Sequence, residues 1–204
     1  MIGLSLKICL EVFNETLSIS VKTSSISFLF FQLILRLLIC LNPSLVIDAG
    51  CGENFFKGKI KNLVGYDPVF KQADFNCTHY TAPFKEQCAD VIIAGGSVNW
   101  GDKDDISFIL VKLKSWLKPG GRLFMRGAPG GYDNDAGLDW FVWSAKDIHY
   151  YADLLGFELV DDIKIEYNEK GTLNTRKMPH RYVWCYRRPN EQVIRTKTRL
   201  SKKN

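Results

Sequence analysis

The residues Asp48-Ala49-Gly50-Cys51-Gly52 end one apolar run, "LVIDAG", and a second run, "LVGYDP", closes on Asp67, 19 residues after Asp48. Glycine is needed where a backbone bends sharply and lies close to a ligand, because a Cβ would collide there. Gly50 and Gly52 fit that use, with Cys51 between them. A carboxylate at the end of the next strand can accept both hydrogen bonds of a ribose diol. One glycine turn and one acid at this spacing describe an adenosine-type ligand.

The turn narrows the choice. A dinucleotide fingerprint needs a small residue in its third glycine place so that helix and strand can approach. Here Phe55 stands in that place, and no Gly-Lys-Ser/Thr follows to make a phosphate loop. Asp48 and Glu53 would repel a pyrophosphate. They suit a ligand carrying positive charge, such as the ammonium and sulfonium of S-adenosylmethionine.

The elements that must position these residues are punctuated regularly from Leu45 onward. "LVIDAG", "LVGYDP" and "ADVIIAGG" read as strands ending in turns, and "ENFFKGKIKN" allows at most two or three helical turns. Ile106, Ile109, Leu110, Leu113, Trp116 and Leu117 follow helical spacing, with Lys112, Lys114 and Lys118 on the other face. Asp104 and Asp105 open that helix and Pro119-Gly120-Gly121 stops it. "RLFMRG" is a further strand, and "SAKD" looks like a capping box leading a helix through Ile148, Tyr151, Ala152 and Leu155 to Gly156. "DIKIEY" and "RYVWCYR" alternate as strands. Strands alternating with helices predict an α/β, Rossmann-like three-layer sandwich with an antiparallel finish. The domain spans 43–188, between an N-terminal extension with an apolar helix (1–42) and a basic tail (189–204).

Four stretches in order resemble class I S-adenosylmethionine-dependent methyltransferases, in the manner of the small type 11-like domain: "VIDAGCG", "VGYDP", "APFKEQCADVIIAGGSVNW" and "LKSWLKPGGRLFMRG". The resemblance implies a seven-stranded, mostly parallel sheet with an antiparallel last strand, and S-adenosylmethionine as cofactor. It implies that Asp48, Gly50, Cys51 and Gly52 line the methionine end and that Asp67, followed by Pro68, holds the ribose. Phe84 of the Pro-Phe pair and the backbone of Gly95, Gly96 and Ser97 would border the cofactor from the other side. The family often places an acid on the adenine amino group shortly before that pair; Thr78 and His79 occupy the area here, with Asp74 further away. The implied activity is in-line transfer of a methyl group to an unidentified acceptor, small molecule or macromolecule. The alternative is a catalytically silent S-adenosylmethionine-binding scaffold or partner protein.

Methyl transfer from a sulfonium depends mainly on alignment and exclusion of water, so no catalytic base is named. Gly95 to Trp100 lacks the Asp/Asn-Pro-Pro-Tyr turn of amino-directed DNA methyltransferases, and there is no Pro-Cys nucleophile for cytosine carbon. The acceptor wall is expected in two loops: Asn99 and Trp100 in the first, and Tyr132, Asp133, Asp139 and Trp140 in the second. Acids and aromatics together suit a cationic or planar acceptor.

Composition sets the remaining bounds. The chain has 204 residues, enough for one domain with a full core. Its net charge of +5 is uneven: from Arg187 to the end there are seven Lys or Arg and one acid. Such an end reads as a solvated tail, with a loose polyanion contact as the alternative. Six scattered cysteines without a CxxC pair indicate neither zinc nor a disulfide framework, and read as buried thiols in a reducing cytoplasm. "FLFFQLILRLLICL" is short for a membrane span, interrupted by Gln32 and Arg36, and reads as a helix buried against a sheet.

Overall fold

The computed structural model describes residues 34, 38, 41–128, 140–167 and 180–190. Tyr132, Asp133 and Asp139 of the expected acceptor wall lie outside them, as does the tail beyond Asn190. The chain divides into two compact units, Met1–Asn42 and Pro43–Asn204. In the first, Ile34, Leu38 and Leu41 are helical, and the Asn42 amide donates to the Leu38 carbonyl. No helix among the described residues is long and apolar enough to cross a membrane.

The second unit runs β1 (Val46–Ala49), β2 (Leu63–Tyr66), β3 (Ala89–Ala94), α1 (Lys103–Trp116), β4 (Leu117–Gly127), α2 (Ala145–Leu155), β5 (Glu158–Leu159), β6 (Lys164–Tyr167) and β7 (His180–Arg187). The seven strands form one sheet in the order β2-β1-β3-β4-β7-β5, with β6 also paired to β7. β1, β2, β3 and β4 are mutually parallel, while β7 is antiparallel to β4, β5 and β6. This is the expected mostly parallel sheet with an antiparallel last strand. Its outer edge is one strand broken in two, since β5 and β6 both pair with β7. Beyond β2 the described residues add a single parallel bridge, Tyr66 to Phe75.

β1 lies between two strands and all four of its residues are buried, which is why its sequence is an unbroken apolar run apart from Asp48. Ile47, Ala49, Ile92, Ala94, Leu123 and Met125 share one core with Ile106, Leu110, Leu113, Ile148 and Tyr151 of the helices. Helix α1 starts on a capping box in which the Asp102 side chain accepts from the Asp104 and Asp105 amides. Helix α2 starts on the expected Ser144–Asp147 box and ends on Gly156, whose φ of 62° closes the last turn.

Two local expectations change. The segment after the glycine turn makes hydrogen-bonded turns and no helix, because Asn54, Gly58 and Asn62 all take positive φ and interrupt the ladder. Helix α1 ends at Trp116, before the Pro-Gly-Gly turn, which is already part of β4. There the Gly120 amide donates to the Arg188 carbonyl and the Arg188 amide to Gly121. Arg188 also donates to the Leu117 carbonyl and Arg187 pairs with Glu158, so two of the seven terminal cations are spent inside the fold.

At the other end of β1 and β3, Asp90 ties three segments together. Its carboxylate accepts from the Ser44 and Leu45 amides, the Ser44 hydroxyl and the Lys118 ammonium. Burial alone would raise this carboxyl, but the Lys118, Ser44 and Leu45 hydrogen bonds outweigh it and hold the pKa at about 2. The stabilisation is complete above the ordinary carboxylate range and is lost as pH falls from about 4 toward 2. Asp90→Asn is expected to cost about 1–2 kcal/mol in urea unfolding at pH 7, and the gap from the native protein should close near pH 2.

Candidate functional site

The glycine turn is latched inward. The Gly50 and Cys51 amides both donate to the Tyr66 carbonyl, at 2.9 and 3.0 Å, and the Gly52 amide donates to Asp67 Oδ2 at 3.1 Å. Three successive amides are therefore consumed by protein acceptors. A phosphate cradle needs such amides free to face an anion, so this turn is not one. The physical use of the glycines also becomes specific. A Cβ on Gly50 would come within 2.2 Å of Ser97 Cβ, so Gly50 lets the turns after β1 and β3 touch. Gly52 faces open space, but its φ of 56° favours glycine.

Two carboxylates stand at this end of the sheet in opposite states of satisfaction. Asp67 Oδ1 accepts from the Val69 and Phe70 amides, and Oδ2 from Gly52. Of the about four acceptor positions of a carboxylate, one remains, on Oδ2, rather than the pair a ribose diol would use. Asp48 is 3% exposed and, unlike Asp67, its carboxylate meets neither a hydrogen-bond donor nor a cation among the described residues. Burial first, and the Asp67 charge second, push its carboxyl up to about 7. Burial, then Asp48 and Asp67, push the Cys51 thiol up to about 12, which leaves it neutral and unreactive.

Across from them, Ser97 Oγ donates to the Ala49 carbonyl, joining the turn after β3 to the end of β1. Gly95 and Gly96 are half-buried in that turn, and Pro68 is exposed next to Asp67. His79 sits between the Tyr66 hydroxyl, 2.6 Å from its Nδ1, and the Ser97 backbone. Burial lowers its pKa, so the imidazole is neutral. Nothing in its sequence context marked it beyond its place in the adenine region. Asp74, the other residue considered there, is engaged by Lys57 and by the Gly65 amide at the edge of β2. Phe84 joins a ring cluster with Tyr66, Phe75 and Trp116.

The acceptor side is corrected at one residue. Asn99 is fully buried, its Nδ2 donating to the Gly96 carbonyl and its Oδ1 accepting from the Ala128 amide. Its amide joins the two loops from within and has no face for an acceptor. Trp100 is 44% exposed, forms a backbone bridge with Trp140 and meets its ring edge-on at 4.6 Å. Beneath them the buried Trp143 donates its indole N–H to the Val98 carbonyl at 2.9 Å. A cavity of about 550 Å³ lined by His149 and residues 159–163 lies along α2 and the break between β5 and β6, away from these turns. Among the described residues no group of His, Cys, Asp and Glu could hold a metal ion.

Sheet order, glycine turn and the acids at the strand ends define the class I S-adenosylmethionine-dependent methyltransferase fold. One similar structure is the 1,6-didemethyltoxoflavin-N1-methyltransferase of Burkholderia thailandensis, bound to 1,6-didemethyltoxoflavin and S-adenosylhomocysteine. It has 16% identity and a TM-score of 0.65 over 92% of this chain and 88% of that one. Another is magnesium protoporphyrin IX methyltransferase of Synechocystis with bound S-adenosylmethionine, at 15% identity, TM-score 0.56 and 77% of each chain. A cyclase shares the fold too, at 15% identity and TM-score 0.51 over 71% of this chain and 74% of that one. No family model and no curated protein matches the sequence.

Proposed function

We propose that this chain binds S-adenosylmethionine over the carboxyl ends of β1, β2 and β3 and transfers its methyl group to an acceptor. The observation that carries this reading is Asp48: a buried carboxylate with no partner among the described residues, behind a turn whose Gly50, Cys51 and Gly52 amides face inward. Burying a carboxylate this way is costly unless a cation completes it. The sulfonium and ammonium of S-adenosylmethionine supply that charge, whereas a pyrophosphate would find the Gly50, Cys51 and Gly52 amides already engaged. Gly50, Cys51 and Gly52 then shape the methionine end, and the open Oδ2 position of Asp67 takes a ribose hydroxyl. Gly95, Gly96 and Ser97 border the cofactor opposite the glycine turn, with Pro68 and Phe84 further out. Trp100 and Trp140 form the acceptor wall, which suits a planar or cationic acceptor.

A second reading keeps the ligand and drops the chemistry. The missing first helix, and a His79 whose ring is already engaged where an acid would read adenine, fit a silent S-adenosylmethionine binder. That a cyclase shares the fold underlines that the fold alone does not dictate methyl transfer.

Calorimetric titration with S-adenosylmethionine tests the common part. Asp67→Asn keeps an oxygen for the Val69 and Phe70 amides and loses the acceptor that faces Gly52. It should weaken binding tenfold or more, about 1.4 kcal/mol. Unchanged affinity would remove Asp67 from the site. Binding without transfer to any of a panel of planar and cationic acceptors would select the silent scaffold.

A further inference from the structure

Asp48 and Asp67 share the carboxyl ends of neighbouring strands, yet the fold treats them differently. Asp67 accepts hydrogen bonds from three backbone amides. Asp48 is 3% exposed, and among the described residues neither a donor nor a cation reaches it. The titratable groups around it are the Asp67 carboxylate and the Tyr66 hydroxyl from β2 and its turn, and the Cys51 thiol from the glycine turn. His79, beyond Tyr66, is neutral. None of these groups supplies a positive charge. A carboxyl buried near another carboxylate, with neither a donor nor a cation among the described residues, favours its protonated form.

We propose that Asp48 is a proton-exchanging ligand group: below neutral pH it holds a proton in the free protein and releases it to solvent when the cationic end of S-adenosylmethionine enters. This rests on the S-adenosylmethionine reading above and adds a linkage to it. The balance is simple: Asp48–COOH becomes Asp48–COO⁻, the O–H bond breaks, buffer takes the proton, and no bond of the ligand changes. The empty site thus avoids a bare buried charge, and the occupied site has an ion pair in its place. The sign follows directly. Because the proton must leave for the ligand to be held, affinity falls as pH falls.

The test is calorimetric titration of the full chain with S-adenosylmethionine at pH 7, in phosphate and in Tris, whose ionisation heats differ. With the Asp48 carboxyl titrating at about 7, the native protein should release about half a proton per ligand at pH 7 and nearly one at pH 6. The apparent Kd should weaken about tenfold between pH 8 and pH 6. Asp48→Asn, folded by thermal melting, should release none and lose the pH dependence; adenosine, which is uncharged, should release none from the native protein. Measurable binding with the same heat in both buffers would overturn the proposal and leave the cofactor reading standing. Proton release surviving in Asp48→Asn would overturn it too, by assigning the proton to another group. Absence of any binding would sink the cofactor reading and the proposal with it.

Discussion

Asp48→Asn is expected to make the ligand-free protein more stable at pH 8 by about 2–4 kcal/mol, an unusual direction for a change at a candidate site. Below about pH 3 the carboxyl is protonated in the folded and unfolded chains alike, and the substitution should be nearly neutral. Between about 4 and 7 the unfolded chain ionises at the ordinary value of 3.8, while burial and Asp67 keep the folded group protonated. Native stability therefore falls as pH rises through this window, and the loss is complete above 7. Asn carries no charge and escapes it. Urea unfolding of both proteins from pH 4 to pH 8 reads the difference, and a variant no more stable than the native protein at pH 8 would refute it. The gain should come with weaker S-adenosylmethionine binding at pH 8, because the ammonium or sulfonium then meets an amide in place of a carboxylate. A residue that destabilises the empty protein and strengthens the complex is what a binding site for a cation requires.

Trp143→Ala carries the other large effect, about 3–5 kcal/mol of stability. The indole is 1% exposed and packs against Phe141, Tyr151 and Trp184, with ring centroids 4.9, 5.6 and 4.9 Å away. It presses so closely on β4 that a Cβ on Gly127 would lie 2.6 Å from its Cδ1. Removing it leaves a cavity that rigid strands on either side cannot close. It also removes the hydrogen bond to the Val98 carbonyl, the brace of the turn from Gly95 to Asn99. Cofactor affinity should therefore drop even where the variant is fully folded. Trp143→Phe separates the two contributions: it keeps most of the ring volume, loses the N–H, and should cost about 1–2 kcal/mol by leaving that carbonyl unsatisfied. Urea unfolding with parallel S-adenosylmethionine titration measures both, and a loss below 1 kcal/mol for Trp143→Ala would show that the core repacks around the gap.

Local rules carried the sequence far. The apolar runs ending in Asp48, Asp67 and Gly95 mark β1, β2 and β3 because a strand buried on both faces must be apolar until it reaches the rim. The stripe from Ile106 to Trp116 and the Ser144–Asp147 box mark α1 and α2, since spacing and capping act within one or two turns. Asn54, Gly58 and Asn62 carried the warning against a first helix, as residue types that tolerate positive φ, but such residues also occur inside helices.

What the sequence determined by itself is the order of strands and helices, the glycine turn and the acids that end its neighbouring strands. Tertiary structure decided what each of those groups meets. Gly50 needs to be glycine because of Ser97, 47 residues on, and Asn99 faces inward because Gly96 and Ala128 take its amide. Among the described residues Asp67 gathers three amides while Asp48, one strand away, gathers none. Two aspartates are identical letters in a sequence. Their chemistry differs here because protonation responds to burial and to neighbours across strands, which pairing between distant segments establishes and residue type alone does not.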